Sequence, residues 1–292
     1  MLRALFKAMR PKQWAKNVFI FAGLFFDGRV FDLHRLLASM VAFVLFCLVS
    51  SAIYLINDLA DIEKDRLHPV KRNRPLASGA LAPRVAWMAA GAILAVCIPL
   101  GFAMGRLFGS TVLFYVVLMI LYSYVLKHLV IIDVMVIAAG FVVRVFAGAV
   151  IVQVSRFSPW LYVCATLLAL FLAVNKRRHE LVLLAGNANG HRGSLQEYSL
   201  AFLDDMTSLV TTTALIAYSF YTFSAPNLPP NHAMMLTIPL VMYGIFRYLY
   251  LVRTRNLGGA PEDIVLGDRP LLITGLLWAM VSGLVIYCPQ LH

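Results

Sequence analysis

The chain has 292 residues, of which 61% are apolar and only 13% charged, where a soluble domain carries roughly 25% charged residues. That balance excludes a pair of soluble domains and leaves one polytopic membrane unit covering 1–292. A net charge of +11 would suit nucleic acid, but the cations sit in short loops between apolar runs, so no nucleic acid partner is expected.

In chain order, the stretch Leu2-Arg3-Ala4-Leu5-Phe6-Lys7-Ala8-Met9-Arg10 is amphipathic. Residues 1–12 are expected to lie on an anionic lipid surface, with Arg3 and Lys7 as anchors to membrane lipids. Nine apolar stretches follow, at about 13–28, 35–57, 84–104, 107–125, 131–152, 159–176, 204–223, 234–252 and 271–288. The first is the weakest, because Asn17 interrupts a short apolar core. A cleaved signal peptide competes there, but Trp14 and Lys16 crowd the run and Ala22-Gly23 makes no clear cleavage site. A tilted or partly interfacial first helix is the expectation.

Nineteen lysines and arginines fall on one side of these spans and four (Arg29, Arg35, Arg106 and Arg156) on the other. Cations are retained on the cytoplasmic side, so the N-terminus is expected inside and the C-terminus outside a cell inner (plasma) membrane. Of fourteen carboxylates, only Asp27 and Asp32 face outward in this topology. Positive-inside sorting hardly acts on acids; a chemical site on the inner face accounts for them. A reporter fused after His292 should therefore read as periplasmic and one within 187–194 as cytoplasmic. The reverse pattern would overturn the orientation.

The four cysteines, Cys47, Cys97, Cys164 and Cys288, are isolated in or beside apolar spans, as small buried hydrophobes would be. The densest chemistry follows the second span, in Asn57-Asp58-x-x-Asp61-x-x-x-Asp65. Positions i, i+3 and i+7 share one helix face. Carboxylates that close repel one another, so Asp58, Asp61 and Asp65 call for a cation. Oxygen-only ligation suits Mg²⁺, which keeps several waters and is shared with substrate phosphates. The basic run after them, with Arg66, Lys71 and Arg74, would hold the anion the metal brings. These residues describe a diphosphate site at a membrane surface.

The aspartate stretch resembles the first aspartate-rich motif of the UbiA superfamily of intramembrane prenyltransferases. Arg10-Pro11-Lys12-Gln13-Trp14-x-Lys16-Asn17 and His68-Pro69-x-Lys71-Arg72-x-Arg74-Pro75 look like the branch that moves phosphoribosyl groups onto polyprenyl phosphates. So do Tyr122-Ser123-x-x-x-Lys127, Arg144-x-x-x-Gly148 and Lys176-Arg177-x-x-Glu180-Leu181. The likeness runs from about residue 8 to 200, and beyond 204 only the hydrophobic pattern is shared. It implies an all-α bundle of about nine transmembrane helices around a lipid-open cavity, with a cytoplasmic polar cap. It also implies Mg²⁺ on Asp58, Asp61 and Asp65, phosphoribosyl diphosphate as donor and a decaprenyl-type polyprenyl phosphate as acceptor. A homo-oligomer is compatible with it.

Within that resemblance, Asn57 orients the metal shell or a ribose hydroxyl. Tyr122 and Lys127 contact the donor phosphate, while Lys12 and Lys16 meet the lipid phosphate. Ordinary members carry a second aspartate motif after the sixth span. Here that place reads Asn175-Lys176-Arg177-Arg178-His179-Glu180. Lys176, Arg177 and Arg178 with Glu180 suit a phosphate held without metal, since guanidinium offers a bidentate fork. Asp133 and Arg144 lie eleven positions apart on one face of the fifth span, about 16 Å along the axis and too far to pair. Arg144 is divided between a substrate-facing and a structural role, and Asp133 is a candidate for the metal or ribose site. His128 and His179 read as interfacial, and Glu262, Asp263 and Asp268 as a cap on the final spans. The competing enzyme reading is prenyl transfer to an aromatic acceptor. A transporter is disfavoured because the acids gather at one membrane face rather than at mid-membrane.

Overall fold

Apolar runs of about 20 residues become long helices, and their first turns carry the expected caps. The computed structural model describes residues 1–154, 158–184, 197–226, 228–255 and 261–288. Arg156, Arg192, the 187–194 segment and His292 lie outside the described residues. The helices are α1 (Leu2–Ala8), α2 (Phe21–Phe26), α3 (Leu33–Ala60), α4 (Ile62–Leu67), α5 (Pro83–Met104), α6 (Arg106–Tyr124) and α7 (Ile132–Val152). They continue with α8 (Pro159–Leu184), α9 (Leu200–Ser224), α10 (Ile238–Thr254), α11 (Pro261–Gly267) and α12 (Arg269–Tyr287). Among the described residues every regular element is helical. Asp32, Ser199 and Asp268 cap α3, α9 and α12 by accepting from Arg35 N, Phe202 N and Leu271 N. The expected capping role in the last loop thus falls to Asp268. Gly105 alone joins α5 to α6, at a φ of 149° that disfavours a side chain.

Eight helical stretches among the described residues are long and apolar enough to cross a membrane. The expected first span takes another form. Residues Pro11–Ile20 form a 3₁₀ run, continued by the short α2. The run still extends along the whole of α3: Arg10 meets Asp58 at one end of that helix, and Asp27 meets Arg35 at the other. Ten residues at about 2.0 Å and six at about 1.5 Å cover about 29 Å, close to the hydrocarbon thickness. Sixteen α-helical residues would fall short of it.

This segment needs close backbone approach to fit. A Cβ on Gly148 of α7 would strike the carbonyl oxygen of Ile20 and lie 2.7 Å from its carbonyl carbon. Neither atom belongs to a flexible side chain. Gly148→Ala should therefore cost several kcal/mol, at the top of the overpacking range of about 1–3 kcal/mol or above it. The check is the yield of monodisperse protein and its melting temperature in detergent, and a wild-type value would refute this packing.

α3 and α7 are the most enclosed spans, and the largest apolar core lies between them and α6. Phe46 and Val49 meet Phe108, Val112 and Tyr115 there, with Val143, Ala147 and Ile20. Outward faces carry exposed Leu37, Val44, Trp87, Val96, Phe114, Leu276 and Leu284. In water such a surface would aggregate; in lipid it is the solvated face. Alternating helix direction brings the C-terminal ends of α3, α6, α8 and α10 to the same face as the N-terminal ends of α5, α7, α9 and α12. Contacts between those ends build the polar face described next.

Candidate active site

Asp58 ends α3, Asp61 follows at the break before α4, and Asp65 lies within α4; all three are buried. That differs from the water-accessible edge a terminal motif suggests. Each carboxylate holds a cation. Arg74 Nη1 donates to Asp58 Oδ1 at 3.1 Å and to Asp65 Oδ2 at 2.6 Å. Arg10 donates to Asp58 through Nη2. Lys127 Nζ donates to Asp61 at 2.7 Å, with both groups buried. Among the described contacts, three carboxylates face two guanidiniums and one ammonium. Among the described residues no three His, Cys, Asp or Glu side chains converge as a preformed metal cage. The donor chemistry still fits a hard cation, being oxygen-only. Asn57 Oδ1, in the same last turn of α3 as Asp58, is buried without a hydrogen-bond partner and is a further oxygen donor of the kind a hard cation takes.

A second cluster lies on α7 and α8. Asp133 is fully buried in the first turn of α7 and accepts from Arg177 Nε at 2.6 Å and from the Tyr198 hydroxyl at 2.7 Å. Arg177, only 1% exposed, also donates to Glu180 and, at 3.1 Å, to the Tyr122 hydroxyl. Burial first, and then its bond to Asp133, raise the Tyr198 phenol above its ordinary range, keeping it protonated as a donor. The end of α6 and the turn after it link both clusters, since Tyr122 reaches Arg177 while Lys127 reaches Asp61.

Not every expected residue joins. Arg66 turns outward to Glu63 at 2.8 Å and to the Ala77 carbonyl. Lys12 is exposed, and Lys16 donates to Gln13 one helical turn away. Lys71 is half-buried beside His68, whose Nδ1 accepts from its backbone amide. Lys176, Arg177 and Arg178 do not converge: successive helix positions point about 100° apart, and Arg178 instead meets Asp204 at 2.8 Å. Arg144 is buried and bonded to protein groups through all three guanidinium nitrogens. Its Nε donates to Asn17 at 2.6 Å, Nη1 to the Gly140 carbonyl at 2.5 Å and Nη2 to Tyr115 at 2.8 Å. Its guanidinium also rests on the Tyr115 ring, 4.8 Å from the centroid.

Sequence reasoning assigned no site role to Arg10 or Tyr198. Arg10 precedes a proline, which favours extended backbone, yet it adopts φ 55°, ψ 62°. That left-handed turn carries its side chain over the Tyr54 ring and onto Asp58. Its place in the motif with Pro11 and Lys12 was the available signal. Tyr198 gave none, being isolated in the loop before α9.

A lipid-embedded helical bundle with buried carboxylate–cation clusters at one end is the frame of an intramembrane transferase. The chain belongs to the UbiA prenyltransferase family, whose model matches residues 17–262. It is 32% identical to the decaprenyl-phosphate phosphoribosyltransferase of Corynebacterium glutamicum, over 97% of this chain and 86% of that one. It is 31% identical to the enzyme of the same name from Mycolicibacterium smegmatis, over 98% and 93%. Among solved structures, a UbiA homolog from Archaeoglobus fulgidus bound to GPP and Mg²⁺ superposes with a TM-score of 0.73 at 19% identity. That match covers 97% of this chain and 99% of the other. The protein is a membrane-embedded transferase of the UbiA fold.

Proposed function

We propose that the chain transfers the phosphoribosyl group of 5-phosphoribosyl 1-diphosphate to a polyprenyl phosphate at the cytoplasmic face of the membrane. One observation carries the reading beyond the family. The position of a second aspartate motif holds Arg177, buried between Asp133 and Glu180. One acidic motif serves one diphosphate, whereas the other substrate bears a single phosphate. Relatives named as phosphoribosyltransferases over nearly the whole chain support the same choice.

Asp58, Asp61 and Asp65, with Asn57, are the residues that would hold Mg²⁺. Bound there, Mg²⁺ supplies Lewis-acid stabilisation of the leaving diphosphate. Arg74, already reaching two of the aspartates, and Arg10 exchange carboxylate for diphosphate oxygens when the donor enters. Lys127 does the same from the opposite side. They then face the oxygens on which charge builds as the ribosyl C1–O bond breaks. Glu180, held by Arg177, would accept a ribose hydroxyl, while Asp133 orients Arg177 and Tyr198 behind it. The lipid phosphate oxygen attacks C1 and diphosphate departs; the attacking phosphate is already anionic, so no strong base is required. Lys12 and Lys16, at the entry of the first crossing, would meet the lipid phosphate.

The test offers purified protein labelled phosphoribosyl diphosphate with polyprenyl phosphate, and in parallel polyprenyl diphosphate with 4-hydroxybenzoate. Product in the first mixture alone is expected. Prenylation of the aromatic ring with no use of phosphoribosyl diphosphate would refute the assignment.

A further inference from the structure

Away from the aspartates, α9 and α10 part to leave a cleft of about 370 Å³, within the range of ligand pockets. Thr207, Ser208, Thr211 and Thr212 line it from α9, and Tyr250 and Arg253 from α10. The four hydroxyls sit at i, i+1, i+4 and i+5, so they form one stripe facing the neighbouring helix. Such hydroxyls in a membrane helix usually donate to a carbonyl one turn back. Thr207 and Ser208 do so, to Leu203 and Asp204. Their remaining lone pairs face the cleft as acceptors. Thr211 does not: its Oγ1 is buried without a partner, and the residue is 7% exposed.

The mouth of the cleft carries charge. Asp204 Oδ1 is shared by Arg178 at 2.8 Å and Arg253 at 3.1 Å, leaving one positive charge in excess at that carboxylate. Asp204 lies in the first turns of α9, on the polar face of the bundle. Thr211 lies seven residues deeper, about 10 Å along the helix. Exposed Phe246 and Tyr250, on the face of α10 that carries Arg253, flank the opening on the outer, apolar surface.

We propose that this cleft binds the polyol-phosphate headgroup of an anionic membrane phospholipid. Arg253 takes the phosphate, since part of its charge is left over from the shared Asp204. The headgroup hydroxyls donate to Thr207 and Ser208 and satisfy Thr211. The acyl chains run down the exposed apolar face beside Phe246 and Tyr250. A zwitterionic headgroup fits poorly, because it brings a bulky cation to an arginine-rich mouth and offers no hydroxyl donors. The site is independent of the transfer reaction proposed above.

The experiment uses the full-length protein in neutral detergent. Melting temperature and native mass spectra are recorded with phosphatidylglycerol, with phosphatidylcholine, and with glycerol 3-phosphate alone. Phosphatidylglycerol should raise the melting temperature and add bound lipid, while phosphatidylcholine should do neither. Arg253→Gln should weaken the lipid effect roughly 10- to 100-fold, the loss of a charge-assisted contact. Arg178 keeps Asp204 paired in that variant. Thr211→Val should reduce the effect without lowering lipid-free stability, because the hydroxyl it removes has no protein partner. An equal phosphatidylglycerol shift in wild type and both variants would overturn the proposal. So would protection by glycerol 3-phosphate with none from the lipid, which would assign the cleft to a soluble phosphate.

Discussion

Asp61→Asn should lower transfer by on the order of 10²–10³-fold or more, the scale seen when one preorganised electrostatic group is removed from a reacting centre. The substitution also leaves the buried Lys127 ammonium against a neutral amide, so lost activity by itself would not separate chemistry from folding. The double variant Asp61→Asn/Lys127→Met removes both charges and should recover part of the melting temperature, since no unpaired charge is then left buried. It should not recover turnover. Chelation of divalent cations should silence the wild type, and added Mg²⁺ should restore it. Wild-type turnover by the double variant, or full activity in chelator, would remove Asp61 from the site.

Arg177→Ala has the second largest expected effect, and the structure changes what it is expected to do. From the sequence the loss would be confined to binding a phosphate. In the folded protein Arg177 pairs with both Asp133 and Glu180 and bonds to Tyr122. Breaking a buried pair costs about 3–5 kcal/mol because the stranded charge stays in a low-dielectric interior. Stability should therefore fall together with activity. Arg177→Ala/Asp133→Asn should regain part of the stability, and the coupling from a double-mutant cycle measures the pair. Coupling near zero would show that Arg177 acts on substrate alone.

The helices and the aspartate face were legible because periodicity and hydrophobic runs are local signals. Asp58, Asp61 and Asp65 share a face by spacing alone. Their partners were less legible, since Arg10 and Lys127 meet them across 48 and 66 residues of sequence. The basic stretch Lys176-Arg177-Arg178 misled for a local reason: adjacency in sequence is divergence on a helix. Arg66 likewise follows Asp65 yet faces Glu63. Asn17 was read as a defect in the first span. It is instead the residue that accepts from Arg144 and donates to Ser50 and Cys47, which is why the span tolerates it.

That first crossing carries a consequence for how the protein is made. Its 3₁₀ stretch holds a buried amide and lies against α7, whose Arg144 and Gly148 come about 130 residues later, by the 127-residue separation of Asn17 from Arg144. During synthesis the segment emerges first, but the partners that satisfy its polar groups do not yet exist. A ribosome adding about 5–20 residues per second leaves it waiting for several seconds or more, at the membrane surface rather than within it. The bundle then closes from the inside out, its earliest residues seated among its latest. A nascent chain stalled after Tyr124 should leave a cysteine at position 18 open to a water-soluble thiol reagent. One stalled well past Val152 should protect it, and equal protection in both would mean that the segment inserts unaided.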